Sequence, residues 1–254
     1  INIDSGEAPV FIAASNGKRV LTCSSEGKRA DFRAGDIRKE KVDGAPLTVF
    51  TCTDREGSID MTLPFPGDYN VSNALLAYAV CRLYTDEREV LADSLAGASV
   101  RGRFESFVCE GVDYIIDYAH NGASLHAVLS ALRECNPRRL VCLFGSVGGR
   151  TFSRREQLGR VAAELADTSD NPDSEDPEKI IDDICAAFPA GTNYFRIADR
   201  GEAIRFAVRN ACPGDIVLLA GKGHENYQLI NGVKIPFCER EIVEETCREM
   251  AAKV

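Results

Sequence analysis

From residue 100 onward the chain alternates short apolar runs with stretches of helical period, and that alternation limits its fold more than any other feature. Tyr114-Ile-Ile-Asp117, Leu140-Val-Cys-Leu-Phe144, Tyr194 to Ala198 and Ile216-Val-Leu-Leu-Ala220 read as strands. Helices are predicted over 122–134, 154–166, 177–187, 200–210 and 240–252, with a hairpin centred on Asn231-Gly232. Strands alternating with helices imply βαβ units around a parallel sheet, hence an α/β class. One interval breaks the rhythm. Helix 154–166 runs into Thr168-Ser-Asp-Asn-Pro172 without the strand that two successive right-handed crossovers require. A strand is therefore expected to be missing there, or residues to be lost between Asp167 and Thr168.

The first 99 residues follow another pattern, read as short extended pieces up to residue 66. Arg19-Val-Leu-Thr-Cys23, Leu47 to Thr53 and Ser58 to Leu63 are strands, the last two joined by Asp54-Arg-Glu-Gly57 as a hairpin. Pro64 and Pro66 end the sheet. Val71, Leu75, Tyr78, Ala79 and Leu83 recur at helical spacing, which predicts a helix from Asn70 to about Tyr84. A second covers Glu87 to Ala96, ahead of Gly97. The change of rhythm sets a boundary near residue 99, with domains at 1–99 and 100–254.

Composition excludes several function classes. Apolar residues are 44% and charged residues 27%, a globular balance. The formal charge of −9 argues against general binding to a nucleic-acid backbone, while leaving room for a local phosphate site. No run approaches 18 apolar residues, and Ile1-Asn-Ile-Asp4 lacks a basic region followed by an apolar one. No membrane association and no signal peptide are expected. The ten cysteines are scattered singly without a CxxC, which predicts reduced, buried thiols in a cytoplasmic protein. There is no helical HExxH and no Gly-x-Ser-x-Gly elbow, so no metal site and no serine hydrolase are expected.

In doubly wound sheets, ligands sit at the carboxyl ends of the strands. Three strand ends here carry glycines or polar groups: Tyr118-Ala-His120-Asn-Gly122, Gly145-Ser-Val-Gly-Gly-Arg150, and Gly221-Lys-Gly-His-Glu225. The glycine-rich loop opens onto a helix start with Arg154 and Arg155. That suits an anion, and equally a tight strand-to-helix turn with solvated arginines. It is not a Walker A loop. Asp170-Asn171-Pro172 reads on its own as an Asx turn capping the next helix. In Gly221–Glu225 two glycines admit a ligand to the backbone while Lys222, His224 and Glu225 offer donors, acceptors and a charge pair. His120 gains functional weight from its place behind Asp117, whereas His126, inside a helix, reads as structural.

Together these stretches resemble the Mur ligases. The matching segments are Gly67 to Ala74, Arg101-Gly-Arg103-Phe-Glu105, Asp117 to His120, Gly145 to Arg155, Ser169 to Pro177 and Ala220 to Gln228, in the family's order. The last two are those of its muramyl-tripeptide synthetase branch. The resemblance implies the remainder of an ATP-binding central domain, built of strand hairpins and helices, followed by a Rossmann-like C-terminal domain. It implies a cytoplasmic, monomeric ligase that uses ATP and Mg2+ in peptidoglycan precursor synthesis. The enzyme would activate UDP-N-acetylmuramoyl-L-alanyl-D-glutamate as an acyl phosphate and join a diamino acid to it. The family's P-loop, magnesium ligands and modified lysine would lie upstream of Ile1.

Carried over by position, Asn70 and Asn73 would read adenine, Arg103 would face phosphates, Asp117 would hold the ribose, and His120 would line the nucleotide site. Arg103, His120 and Lys222 would be catalytic. Arg150, Asp170, Asn171, Asp173, Gly221 and Glu225 would bind the amino acid. Two departures stand out. Thr151 lacks a carboxylate usual in the family, and Asp173 stands where versions selecting meso-diaminopimelate have arginine. An aspartate repels a distal carboxylate and attracts an ammonium, which favours lysine or a similar diamino acid. The alternatives are a noncatalytic nucleotide-binding paralogue or fragment, and a folylpolyglutamate-type ligase, which Gly221-Lys-Gly-His-Glu225 opposes.

Overall fold

The structure, a computed structural model, describes residues 1–42, 45–146, 152–166, 177–230 and 233–252. The chain divides into two compact units, Ile1–Ser99 and Val100–Val254.

The first unit contains α1 (Ala8–Ala14), β1 (Cys23–Ser24), β2 (Phe32–Val42), β3 (Ala45–Asp54), β4 (Gly57–Leu63), α2 (Asp68–Cys81) and α3 (Arg88–Ala96). Its sheet runs β1-β2-β3-β4, parallel in the first pair and antiparallel in the others. Asp54 pairs with Gly57, so the β3–β4 turn is only Arg55-Glu56, and Gly57 takes a φ of 119° open to glycine. Alternation sends Phe50, Cys52, Met61 and Leu63 to one face, where Val71, Leu75 and Tyr78 of α2 cover them. Arg82, just past α2, reaches Glu56 at 2.6 Å and Asp86 at 3.2 Å, while Arg88 reaches Asp54 at 3.4 Å. These bonds pin the helix end to the hairpin.

Two elements here escape the sequence reading. Of the strand expected at 19–23, only Cys23 joins the ladder, continuing through Ser24. Strand β2 is masked by its charges and by a bulge: register shifts between Gly35 and Arg38, with Asp36 at a φ of 49°. A bulge interrupts the strict two-residue period by which strands are read. Helix α1 buries only Ala8 and exposes Val10, Phe11 and Ile12, so it carries no amphipathic signal.

The second unit contains β5 (Glu105–Cys109), β6 (Val112–Asp117), α4 (Gly122–Arg133), β7 (Leu140–Leu143), α5 (Phe152–Leu165), α6 (Pro177–Cys185), α7 (Arg200–Asn210), β8 (Ile216–Ala220), β9 (Tyr227–Ile230), β10 (Val233–Pro236) and α8 (Glu239–Ala251). The main sheet runs β5-β6-β8-β7. Strands β6, β8 and β7 are parallel, and β5 closes one edge antiparallel to β6. Every residue of β8 is buried, as expected of a central strand covered on both faces. Val217 and Leu219 join Val112, Tyr114 and Ile116 of β6, Ile204 and Val208 of α7, and Val243 of α8 in one core cluster. Asn121 caps α4 by accepting the Ser124 N–H at 2.9 Å.

The strand expected at 194–198 is not one. Phe195 and Ile197 line a small cavity with Val141 and Leu143, while Arg196 bonds Glu178 and Asp182 at 2.9 and 2.7 Å. Its alternating side chains are thus satisfied without a ladder. The β5 strand was not anticipated. The interval 167–176, where a lost strand was expected, and the hairpin tip Asn231-Gly232 lie outside the described residues, though β9 and β10 pair antiparallel. None of the ten cysteines forms a disulfide, but only Cys23, Cys52, Cys142 and Cys247 are buried, and Cys81 is exposed. The expectation of buried thiols therefore holds for those four.

Asp215, fully buried just before β8, accepts Arg138 at 2.9 Å, Arg139 at 2.5 Å and the Cys212 N–H at 2.8 Å. Burial alone raises a carboxyl pKa, but the donors from Arg139, Cys212 and Arg138 outweigh it and hold Asp215 below its ordinary value. A lowered folded-state pKa contributes stability above the unfolded value of about 3.9 and loses it as pH falls through the folded value. Asp215→Asn is expected to cost about 1–3 kcal/mol at pH 7, the deficit narrowing in acid. Urea unfolding of both proteins across pH 7 to about 3.5 checks this; a deficit that does not change with pH would contradict it.

Candidate functional site

Parallel pairing brings the loops after β6 and β8 together. Asp117, the last residue of β6, lies opposite Ala220, the last of β8, and the Gly221 N–H donates to the Asp117 carbonyl at 2.9 Å. Leu143 of β7 pairs with Leu219, so Gly145 and Ser146 emerge at the same rim. The three strand-end motifs therefore start side by side.

Asp117 is 6% exposed. Its Oδ1 accepts the Ala119 N–H at 2.7 Å, and its Oδ2 accepts the Phe104 N–H at 2.8 Å. Burial raises its pKa, with the Phe104 and Ala119 donors pulling the other way and the charges of Arg103 and His120 adding to that pull. His120 places Nδ1 at 2.7 Å from the Tyr118 carbonyl. A carbonyl only accepts, so Nδ1 carries a proton in this contact, which leaves Nε2 as the ring nitrogen facing away from the backbone. The Tyr118 ring lies 4.8 Å from that of His120 and 5.3 Å from that of His224. The Arg103 guanidinium stands 4.8 Å over the same ring. Arg103 is exposed and makes no ion pair among the described residues.

Two glycines make this crowding possible. Gly102 and Gly223 take φ of 68° and 53°. A Cβ on Gly102 would collide with the His224 nitrogen and the Gly223 backbone, and one on Gly223 would meet the Gly102 carbonyl at 2.6 Å. The two backbones cross with no room for a side chain. Beyond the crossing, Lys222 is buried and its Nζ lies 3.3 Å from Oε2 of the half-buried Glu225. Arg154, at the start of α5, donates to the His120 carbonyl through Nε at 2.9 Å and Nη2 at 2.5 Å. It anchors the loop after β6 as well as lending charge.

Among the predicted site residues, Arg103, Asp117, His120, Gly221, Lys222 and Glu225 share this rim of the second unit. Asn70 and Asn73 lie in the first turns of α2 in the first unit; Asn70 Nδ2 donates to the Pro66 carbonyl at 2.8 Å, and Asn73 is exposed. Arg150, Asp170, Asn171 and Asp173 lie outside the described residues. The sequence reading missed Phe104 as a donor to Asp117, Tyr118 as the ring shared by Arg103 and two histidines, and the pair Arg200–Glu239 behind Lys222. Tyr118 could have been found from its place between Asp117 and His120. The others carry no local signal. Among the described residues no group of three or more His, Cys, Asp or Glu is arranged to hold a metal ion, and no helix is long and apolar enough to cross a membrane.

Two family descriptions match the chain: the Mur ligase middle domain over residues 1–81 and the Mur ligase glutamate ligase domain over residues 102–223. The chain belongs to the Mur ligase family. It is 40% identical to the UDP-N-acetylmuramoyl-L-alanyl-D-glutamate–2,6-diaminopimelate ligase of Trichormus variabilis, across 95% of this chain and 49% of that protein. It is 39% identical to the ligase of the same name from Chlorobaculum tepidum, across 98% and 51%. The chain spans about half the length of the curated relatives it matches. A solved ligase of that name superposes with a TM-score of 0.63 at 30% identity, covering 99% of this chain and 53% of its own. MurF from Acinetobacter baumannii shares the fold, with a TM-score of 0.70 at 18% identity over 97% of this chain and 51% of its own.

The glycine crossing gives a paired test. Gly102→Ala adds both a left-handed strain of about 1–2 kcal/mol and a backbone collision. Gly191, at a φ of 88° with open space around it, would suffer the strain alone. Thermal unfolding should show Gly102→Ala destabilised by at least about 2 kcal/mol and Gly191→Ala by clearly less; equal losses would mean that the crossing is not tight.

Proposed function

We propose that this chain carries part of the nucleotide site and the amino-acid site of an ATP-dependent amide ligase of peptidoglycan precursor synthesis. It would add a diamino acid to UDP-N-acetylmuramoyl-L-alanyl-D-glutamate. The observation that carries the reading is the shared rim at which Asp117, His120 and Gly221 to Glu225 meet in a Mur ligase fold. ATP would activate the D-glutamyl carboxylate as an acyl phosphate, and the amine of the diamino acid would displace phosphate to form the amide. Phosphoryl transfer of this kind needs positioning and charge neutralisation more than covalent help from the protein.

The residues suit those tasks. An ionised carboxylate offers about four acceptor positions, and Asp117 has given two to backbone donors, which leaves acceptors for ribose hydroxyls. His120 would present Nε2 to the nucleotide. Asn70 and Asn73 would read the adenine edge. Arg103, stacked but without an ion-pair partner among the described residues, would neutralise phosphate charge. Gly221 would give the backbone close access, Glu225 would take an ammonium, and Lys222 would balance Glu225. Arg150, Asp170, Asn171 and Asp173 are assigned to the amino acid by resemblance. Mg2+ would accompany ATP, and no ligand for it is assigned in this chain. A UDP-linked substrate and ATP fit a cytoplasmic step, and the enzyme would act as a monomer.

For the amino acid we propose lysine or ornithine over meso-diaminopimelate, because Asp173 would face a terminal ammonium favourably and a terminal carboxylate unfavourably. The matched relatives are named as 2,6-diaminopimelate ligases, so diaminopimelate is the competing substrate to test. Amide formation by the complete protein with each diamino acid at equal concentration separates the two. Lysine should be preferred, and Asp173→Arg should shift preference toward diaminopimelate; a preference for diaminopimelate in the unmutated protein would overturn the assignment of Asp173. In the same assay Arg103→Ala should lower turnover at least about tenfold, the order expected for one charged positioning contact. Unchanged turnover with normal folding would remove Arg103 from the site.

A further inference from the structure

Behind Lys222 lies a second carboxylate with no part in the proposed reaction. Glu239, the first residue of α8, has a side chain only 2% exposed. Its Oε1 accepts a hydrogen bond from Arg200 Nε at 2.6 Å, and Nη2 completes the ion pair at 2.6 Å. Its Oε2 is buried and has no hydrogen-bond partner among the described residues. Arg200 Nη2 also donates to the Ala220 carbonyl at 2.9 Å, which fixes this carboxylate beneath the backbone two residues before Lys222. The Lys222 ammonium stands 3.3 Å from Glu225, longer than the about 2.7–2.9 Å usual for a charge-assisted bond. It also lies 6.0 Å from the Tyr227 ring and 5.9 Å from the Phe237 ring, and Phe237 is two residues from Glu239. Burial raises the pKa of Glu239; Arg200 and then Lys222 oppose the rise, and Glu225 adds to it. Glu225 and Glu239 line the same cavity beside this loop, and Glu239 keeps an oxygen unused among the described residues.

We infer that Glu239 is a positioning residue that gives Lys222 a second seat and so frees Glu225 for the ammonium of an incoming amino acid. The inference rests on the proposed role of Glu225. With one seat, the incoming ammonium and Lys222 would compete for a single carboxylate, like charge against like charge. With two, the flexible lysine stem carries Nζ to the unused Glu239 oxygen. That move satisfies a buried acceptor, whose lack of a partner is costly, and leaves Glu225 to the substrate.

The test uses the complete protein, with KM measured separately for the diamino acid and for ATP. Glu239→Gln keeps the side-chain shape and an acceptor for Arg200, but replaces the unused oxygen with an amide that repels Lys222. The amino-acid KM should rise about tenfold, the order of one charge-assisted contact, while the ATP KM and kcat stay within about twofold. In a Lys222→Met background, read by direct calorimetric binding of the diamino acid rather than by turnover, the same substitution should leave its affinity unchanged, because the competition is gone. A rise in both KM values, a loss confined to thermal stability, or an undiminished effect in the Lys222→Met background would overturn the inference while leaving the proposed reaction intact. Failure of the wild-type enzyme to form any diamino-acid amide would overturn both. A crystal structure of the wild-type protein with lysine bound gives a readout independent of any variant. Lys222 Nζ should lie within hydrogen-bond distance of Glu239, and retention on Glu225 would refute the second seat.

Discussion

The pairing register between β6 and β8 governs the arrangement of the second unit. Asp117 faces Ala220 at the end of the ladder, and the Gly221 N–H extends the pairing one step further onto the Asp117 carbonyl. Because β8 is buried along its whole length, a slip by one residue would exchange its two apolar faces and break the match with both neighbouring helix layers. The register is therefore held by the core, and the loops beyond it inherit their positions. The stacking of Arg103, His120 and His224 around Tyr118 follows from that inheritance rather than from any attraction among the loops themselves.

Buried charge is placed at both ends of the same strand. Asp215 with Arg138 and Arg139 holds the amino end, and Arg200 with Glu239 holds the carboxyl end. Desolvation offsets much of what buried pairs contribute to stability. Their effect here is on placement. The first fixes where β8 enters the sheet, and the second fixes where the polypeptide leaves it for the Gly221–Glu225 loop.

What could be read from the sequence follows the physics of each element. Strands β6, β7 and β8 are legible because buried parallel strands are continuous apolar runs, and α4, α5, α7 and α8 because their apolar stripes keep helical spacing. Segment 194–198 was over-read because Tyr194, Phe195 and Ile197 imitate a strand, while Phe195 and Ile197 line a cavity beside β7 and Tyr194 packs on Phe188. Strand β2 was missed because its bulge breaks the period that identifies strands. For the site, Asp117, His120, Gly221, Lys222 and Glu225 were legible from the rule that ligands collect at strand ends. Arg103, Asn70 and Asn73 needed the family resemblance. Glu239 was not legible, since it meets Arg200 from a position 39 residues away, at the head of a helix whose visible signal is only amphipathic.

The bond from Arg154 to the His120 carbonyl joins the rim to a pair of helices. The next residue, Arg155, reaches Asp183 of α6 at 2.6 Å, and Gly159 brings α5 so near Ile184 that a methyl group would strike its carbonyl. Helices α5 and α6 are therefore tied to each other and, through Arg154, to the backbone of His120. The same series of contacts ends on α6, where Glu178 and Asp182 hold Arg196, so a change at that distant ion pair and a change at the strand-end loop bear on one connected piece of the fold.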